Sequence, residues 1–215
     1  MNIIIVQLLT VFGLFLGLLG MYLRWREVSQ RPMPVDRSPK KGDPGRGVAY
    51  ALTMGMLPWA KESTRLHTVA YLRGVGFHIR IFAALAVLFF SPFRNLLPPL
   101  IRTILVWGLG FGVLLGAAGG VMRIVEGNLR RVSTPDDHFS VWMVTVFMAS
   151  VALSMWREVF IIPMYIISAI VFVYIPMGKI RHCIYFFFSR SFFGRFVGRR
   201  GVLPHPITTN AGGTK

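Results

Sequence analysis

Long apolar runs, separated by segments rich in arginine and lysine, dominate the pattern of this chain. The runs are close to the ~20 residues that an α-helix needs to cross about 30 Å of hydrocarbon. They predict five transmembrane helices at residues 2–23, 69–91, 100–122, 139–156 and 159–190. The predicted fold class is therefore an all-α membrane protein, with five transmembrane helices in a bundle.

The polar segments between the runs predict the topology. Lysine and arginine number twenty on one side of the predicted membrane and three on the other. Because cytoplasmic segments carry the excess of basic residues, we expect the amino terminus outside and the carboxyl terminus in the cytoplasm. Residues 1–215 then form a single integral membrane domain, with a cytoplasmic loop at 24–68 and a cytoplasmic tail at 191–215.

Composition excludes several classes of protein. The 54% hydrophobic residues and a mean hydropathy of +0.59 exclude a soluble globular domain. A net charge of +16 suggests nucleic acid in a soluble chain, but here the cations lie between the spans, so we expect no nucleic-acid partner. The single cysteine, Cys183, excludes an internal disulfide and an all-cysteine iron–sulfur or zinc site within this chain.

Two histidines lie at similar depth in the second and fifth predicted helices. His78 is about nine residues into its helix and His182 about eight residues before the end of its own, which places both roughly 12 to 14 Å from the cytoplasmic ends. An imidazole at membrane depth marks a functional site by default. Two imidazoles at one depth on two helices fit bis-histidine ligation of a haem b iron in a bundle core. The alternative is that each histidine is isolated, buried and bonded to a backbone carbonyl.

Basic residues flank both histidines. Haem propionates near an interface need cations, and the candidates are Arg73, Arg80, Lys179 and Arg181. The alternative for Lys179 and Arg181 is that they extend to the cytoplasmic surface, as basic residues at helix ends commonly do. Extending to the surface in this way is harder for Arg80, which lies one helical turn deeper than the interface.

Glycines form a stripe along the third predicted helix. Gly108, Gly112, Gly116 and Gly120 recur every four residues and so share one face. Close packing of helices through small residues is the more common reason for such a stripe. The alternative is that Gly112 and Gly116 make room for a flat porphyrin.

Three segments of the chain resemble a known membrane family. They are RGVGFHIRIFAALAVLFF (73–90), GGVMRIVEGNLRRVSTPDDHF (119–139) and IPMGKIRHCIYFFFSR (175–190). Together with five spans in this orientation, they resemble the haem b subunits of the respiratory nitrate reductase gamma family. The most similar branch accompanies heterodisulfide-reductase-like and sulfite-reductase-linked iron–sulfur proteins.

The resemblance implies which haem ligands are present. The family carries two histidines on the second helix and two on the fifth, and the cytoplasmic-side haem would use His78 and His182. The other pair would fall on Leu88 and Met164, so both ligands of the outer haem are absent together. We therefore expect one haem b; a second would have to recruit His67 or His138.

The resemblance also implies a function. The chain would be an electron-transfer subunit of a respiratory oxidoreductase complex in a prokaryotic cytoplasmic (inner) membrane. It would exchange electrons between membrane quinone or quinol and an iron–sulfur partner on the cytoplasmic side. Whether the chain itself reacts with quinone stays open. The alternative is a haem-free membrane anchor of such a complex, and a small transporter is weaker because no internal repeats are evident.

A single haem near the cytoplasm predicts a quinone site in the cytoplasmic half. A quinone headgroup that gains or loses protons needs titratable groups nearby. The candidates are Lys61, His67, Asp136 and His138. The alternative for Asp136 is an ordinary helix start, with Thr134 as N-cap and Pro135 at the first helical position.

Overall fold

A computed structural model describes residues 2–60 and 62–203 of the chain. The regular elements in these ranges are α-helices and short 3-10 turns, with no β-strand among them. The α-helices are α1 (Ile3–Ser29), α2 (Pro44–Leu52), α3 (Glu62–Leu66), α4 (Thr68–Phe89), α5 (Pro99–Val125), α6 (Gly127–Val132), α7 (Pro135–Trp156), α8 (Ile161–Tyr174) and α9 (His182–Arg199).

The chain divides into two compact units. Met1–Arg31 and His67–His182 form one, which we call the bundle unit. Pro32–Leu66 and Cys183–Lys215 form the other, which we call the loop–tail unit. The loop–tail unit therefore combines most of the predicted cytoplasmic loop with the predicted tail.

Four helices of the bundle unit, α1, α4, α5 and α7, are long and apolar enough to cross a membrane. They overlap the first four predicted spans and confirm them as helices. The largest difference is at α1, which continues past residue 23 to Ser29. Its last turns are polar and carry ion pairs from Glu27 to Arg24 and Arg31.

The fifth predicted span is interrupted. α8 ends at Tyr174 and α9 begins at His182, with a 3-10 turn at Lys179–Arg181 between them. Pro176 lacks the N–H that would continue the helix, and a Cβ at Gly178 would collide with the Tyr174 ring. The prediction of one continuous helix over 159–190 is wrong at this point. Counted as one broken span, α8 and α9 bring the number of candidate spans to five.

Small residues and buried hydroxyls join the helices of the bundle unit. α1 approaches α8 closely because Gly13 and Gly17 face the α8 backbone. The Thr10 hydroxyl lies 2.8 Å from the Tyr165 carbonyl oxygen. Such contacts are typical of packing between helices in lipid. Most large side chains on the outside of α1, α4 and α5 are apolar, and the chain is therefore a multi-pass helical membrane protein in contact with the bilayer.

Glycines also bring together the elements of the loop–tail unit. α2 packs on α9 where Gly47 meets the backbone of Gly194 and Gly198. The backbone N–H groups of Lys41 and Gly42 donate to the Arg199 carbonyl, at 2.8 and 3.0 Å. The segment before α2 and the end of α9 therefore form one packed structure.

A carboxylate in the loop–tail unit predicts a pH dependence. Hydrogen bonds from the Ser38 side chain and backbone lower the pKa of Asp36, and the Arg200 guanidinium, 2.6 Å away, lowers it further. Because this pKa is lower in the folded than in the unfolded state, ionised Asp36 stabilises the fold above its ordinary pKa. That contribution is lost as the pH falls through the folded-state pKa.

We expect the thermal stability of the wild-type loop–tail unit to fall between about pH 5 and pH 3, and Asp36→Asn to flatten this part of the profile. The measurement is thermal unfolding across a pH series. Asp43→Asn is the control, because asparagine also accepts the capping hydrogen bond at α2. If the unfolding temperature falls equally with pH in the wild type and in Asp36→Asn, the expectation is contradicted.

Candidate haem site

His78 and His182 face each other in the bundle unit. Their ring centroids are 6.1 Å apart and their planes are nearly perpendicular, at 89°. A metal–imidazole bond is about 2 Å long, so two imidazoles that bind one metal ion from opposite sides have ring centres roughly 6 Å apart. The sequence singles out both residues, and the fold brings them to this separation.

The hydrogen bonds of both rings leave the same nitrogen free. His78 Nδ1 lies 2.7 Å from the Gly74 carbonyl oxygen, and His182 Nδ1 lies 2.7 Å from the Lys179 carbonyl oxygen. Since a carbonyl only accepts, Nδ1 carries the proton and Nε2 is the lone-pair nitrogen of each neutral imidazole. Within residues 2–60 and 62–203 neither Nε2 has a hydrogen-bond partner. Metal-ligating histidines typically show this arrangement.

Local structure positions each imidazole. Gly74 lies one turn before His78 on α4, and the 3-10 turn before α9 presents the Lys179 carbonyl to His182. Both side chains are exposed, so the pair is neither isolated nor buried, unlike the alternative considered from sequence. The backbone-carbonyl bonds of that alternative are present, but they use Nδ1 and leave Nε2 available.

Two histidines suit a metal ion whose other ligands belong to a cofactor. Among the described residues, no group of three or more His, Cys, Asp and Glu side chains lies together. An ion at His78 and His182 would therefore have two protein ligands here. A porphyrin supplies four further nitrogens to its iron, so a haem iron fits this number.

The arginines on α4 contact α5 in this structure. Arg73 donates to the Met122 sulfur, and the Arg80 guanidinium lies over the Phe111 ring at 5.6 Å. Arg80 is two residues from His78 and Arg73 is five, so helical geometry turns both side chains well away from the face of His78. The propionate contacts of Arg73 and Arg80 stay a prediction.

The basic residues beside His182 differ from each other. Lys179 Nζ lies 2.5 Å from Asp137 Oδ2, and Arg123 approaches the same carboxylate at 3.9 Å. Lys179 is thus part of an ion-pair cluster that ties the turn before His182 to the start of α7. Among the described residues Arg181 contacts the Met177 carbonyl at 3.4 Å and forms no ion pair, and it stays a candidate for a propionate.

The glycine stripe of α5 packs against protein side chains. A Cβ at Gly112 would lie 2.6 Å from the Arg80 Cβ, and one at Gly116 would lie 2.6 Å from the Phe77 ring. These contacts fit the interpretation of the stripe as close helix packing, and a porphyrin contact at Gly112 and Gly116 stays a prediction. At Gly108 nothing lies within 4 Å of such a Cβ, so the packed part of the stripe begins at Gly112.

The quinone candidates are not joined into one site. The Tyr174 hydroxyl donates to Asp136, and the predicted start of α7 at Thr134 and Pro135 is confirmed with a capping box. No hydrogen bond or ion pair links His67 to Asp136 or His138 within the described ranges. Lys61 lies outside the described residues.

Two residues in this region were not singled out as site residues from sequence: Arg123 and Tyr174. Their partners lie on another helix, since Arg123 approaches Asp137 and Tyr174 donates to Asp136. The available signals are an arginine in the last turn of α5 and two phenols in the apolar run of α8, Tyr165 and Tyr174. Neither signal identifies the partner.

Comparison with protein family models, curated proteins and solved structures finds no significant match to this chain. Its function is therefore argued from the geometry of the bundle unit. The resemblance of the three sequence segments to the nitrate reductase gamma family stays a prediction.

Proposed function

We propose that this chain is a haem b electron-transfer subunit of a membrane-bound oxidoreductase complex. The observation that carries the proposal is the facing pair His78 and His182, with Nε2 free on both rings and a centroid separation of 6.1 Å. These two residues would hold the haem iron. Haem b, when bound, supplies one-electron chemistry, while the protein supplies ligation, orientation and electrostatics.

Burial supports one haem rather than two. Leu88 and Met164, at the positions of the second ligand pair in the family pattern, are 7% and 1% exposed and belong to the apolar core. The Ser154 hydroxyl also contacts the Met164 sulfur at 3.1 Å, which leaves that side chain engaged. We therefore propose one haem, near the cytoplasmic side in the predicted topology.

The partners in this proposal are a membrane quinone or quinol and an iron–sulfur protein. Under the positive-inside rule we expect the loop–tail unit on the cytoplasmic side, where an acidic iron–sulfur subunit would dock. The membrane would be the cytoplasmic membrane of a prokaryote. We assign no residue to quinone, because His67, Asp136 and His138 share no described contact.

The second candidate is a haem-free membrane anchor of the same kind of complex. A specific observation favours it, since a perpendicular ring pair at 6.1 Å is also an edge-to-face aromatic contact. The free Nε2 on both rings favours ligation, because a packing contact does not require the two histidines to share one hydrogen-bonding pattern.

The test of electron transfer is haem reduction by quinol in membranes that contain the whole complex. We expect a quinol analogue to reduce most of the haem b that dithionite reduces, and an oxidant of the iron–sulfur partner to reoxidise it. A haem b that dithionite reduces and quinol does not would contradict the quinone part of the proposal. A complex without haem b would support the second candidate, the haem-free membrane anchor.

The Asp137–Lys179 ion pair predicts a positioning effect on His182. Lys179→Gln frees the turn whose carbonyl orients the His182 ring, and we expect haem affinity to fall about tenfold. The low-spin electron paramagnetic resonance signal should also move away from the highly anisotropic form expected of perpendicular imidazole planes. Lys179→Arg, which keeps the ion pair, is expected to restore both readouts. Wild-type affinity and signal in Lys179→Gln would show that the pair does not position His182.

A further inference from the structure

A groove of about 600 Å³ lies within the loop–tail unit, formed by the segment before α2 and the second half of α9. The haem proposal makes no use of it. Its apolar part includes Met33, Phe192 and Phe196, and its charged part includes Arg37 and Arg195. A site that combines an apolar surface with guanidinium groups suits an anionic amphiphile.

The groove carries more positive than negative charge. Four arginines and one carboxylate, Asp36, line it. Asp36 is used by Arg200, at 2.6 and 3.0 Å, and Arg199 donates to the Ser38 carbonyl at 3.0 and 3.1 Å. These bonds stabilise the wall of the groove. They also pair Asp36, the one carboxylate among its lining residues, with Arg200.

Two guanidinium groups are left for a ligand. Arg195 contacts only the Met33 sulfur, at 4.0 Å, and Arg37 has no hydrogen-bond or ion-pair partner within the described residues. Both side chains are exposed. Arginine binds phosphate oxygens through its fixed fork of N–H donors, so an anionic phosphate is the ligand chemistry that these two residues fit.

The apolar part distinguishes a lipid from a free phosphate. Phe192 is 42% exposed and Met33 is 46% exposed, so both offer apolar surface beside these two guanidinium groups. A free phosphate gains nothing from apolar surface, whereas a lipid buries the start of its acyl chains there. α9 also carries Arg190, Arg195 and Arg199, and clusters of basic residues beside a membrane span attract anionic lipid headgroups.

We propose that this groove binds an anionic phospholipid, with its phosphate on Arg37 and Arg195 and the start of its acyl chains on Met33 and Phe192. The site is separate from the histidine pair, and the proposal does not depend on haem. It would hold the loop–tail unit to the cytoplasmic leaflet, where anionic lipids and juxtamembrane basic residues attract each other.

The test is titration of the full-length protein in neutral detergent with fluorescent phosphatidylglycerol. We expect the double variant Arg37→Gln, Arg195→Gln to weaken binding roughly thirtyfold, since each cation near an anionic lipid contributes about fivefold. The matched control is Arg130→Gln, Arg131→Gln, which removes the same charge from α6 and should change binding little. Arg37→Lys, Arg195→Lys keeps the charge and should bind within a few-fold of wild type, which separates loss of charge from loss of fold.

Two further binding measurements identify the ligand. Phe192→Ser is expected to weaken phosphatidylglycerol binding while leaving competition by inorganic phosphate unchanged. Phosphatidylcholine, which carries a phosphate but no net charge, is expected to bind much more weakly than phosphatidylglycerol. Equal binding of the two lipids, equal loss in the α6 control, or full displacement by inorganic phosphate at the lipid's own affinity would each overturn the proposal.

Discussion

Replacing either His78 or His182 by alanine is expected to reduce haem b from about one per chain to less than about a tenth. Each ring supplies one of the two protein ligands, and a single remaining imidazole holds the iron weakly and from one side only. The measurement is the dithionite-reduced minus oxidised spectrum of the purified complex, with haem quantified against the chain. Both single variants should lose the signal to the same degree.

Neighbouring residues provide matched controls for this loss. Ile79 follows His78 on α4 and is 53% exposed, and Cys183 follows His182 on α9. Ile79→Ala and Cys183→Ala remove side-chain volume at adjacent positions without changing the ring pair, and both should retain haem. If haem persists in both histidine variants, the iron has other ligands. If the controls also lose haem, the loss reflects general instability.

Gly47→Val is expected to destabilise the loop–tail unit by about 3 kcal/mol or more, which is among the largest effects of single substitutions. A Cβ at Gly47 would lie 2.7 Å from the Gly198 Cα and closer still to the Gly194 carbonyl oxygen. These are backbone atoms and cannot rotate away as a side chain can, so α2 must separate from α9. Limited proteolysis of the full-length protein should show cleavage between residues 32 and 66 rising roughly a hundredfold.

Ala49→Val tests the specificity of that effect. Ala49 lies on the same helix, two residues further on, and is exposed. Ala49→Val introduces the same β-branched side chain on the face away from α9, and it lowers helix propensity, which Gly47→Val does not. Cleavage close to the wild-type rate is expected. Equal sensitivity of the two variants would mean that the glycine contact does not hold the unit together.

Span length made the helices of the bundle unit predictable. α1, α4, α5 and α7 follow from long apolar runs, and the start of α7 follows from its capping residues Thr134 and Pro135. The break after Tyr174 did not follow, because the apolar run continues through it. Proline is tolerated within transmembrane helices when neighbours satisfy the backbone, so Pro176 alone does not decide the matter.

The candidate site was predictable only in part. Equal depth on two helices singled out His78 and His182, but depth does not indicate which face of α4 packs on α5. That face determines where Arg73 and Arg80 point, and it is set by contacts with Met122 and Phe111. Such pairings between distant residues cannot be obtained from helical periodicity alone.

The loop–tail unit was not anticipated as a unit. The segment at residues 31–47 is rich in proline and glycine, a composition typical of a surface loop. Its glycines instead allow backbone contact with α9, where Gly47 meets Gly194. A glycine that provides flexibility and one that permits close approach look the same in a single sequence.

The most direct test of the proposed site is the haem content of the purified wild-type complex, expressed per copy of this chain. We expect one haem b per chain, low-spin in both oxidation states, as two axial imidazoles at His78 and His182 require. No haem b in any preparation would contradict the site and leave the chain as an anchor. Two haems per chain would contradict the assignment of a single site and direct attention to ligands outside this histidine pair.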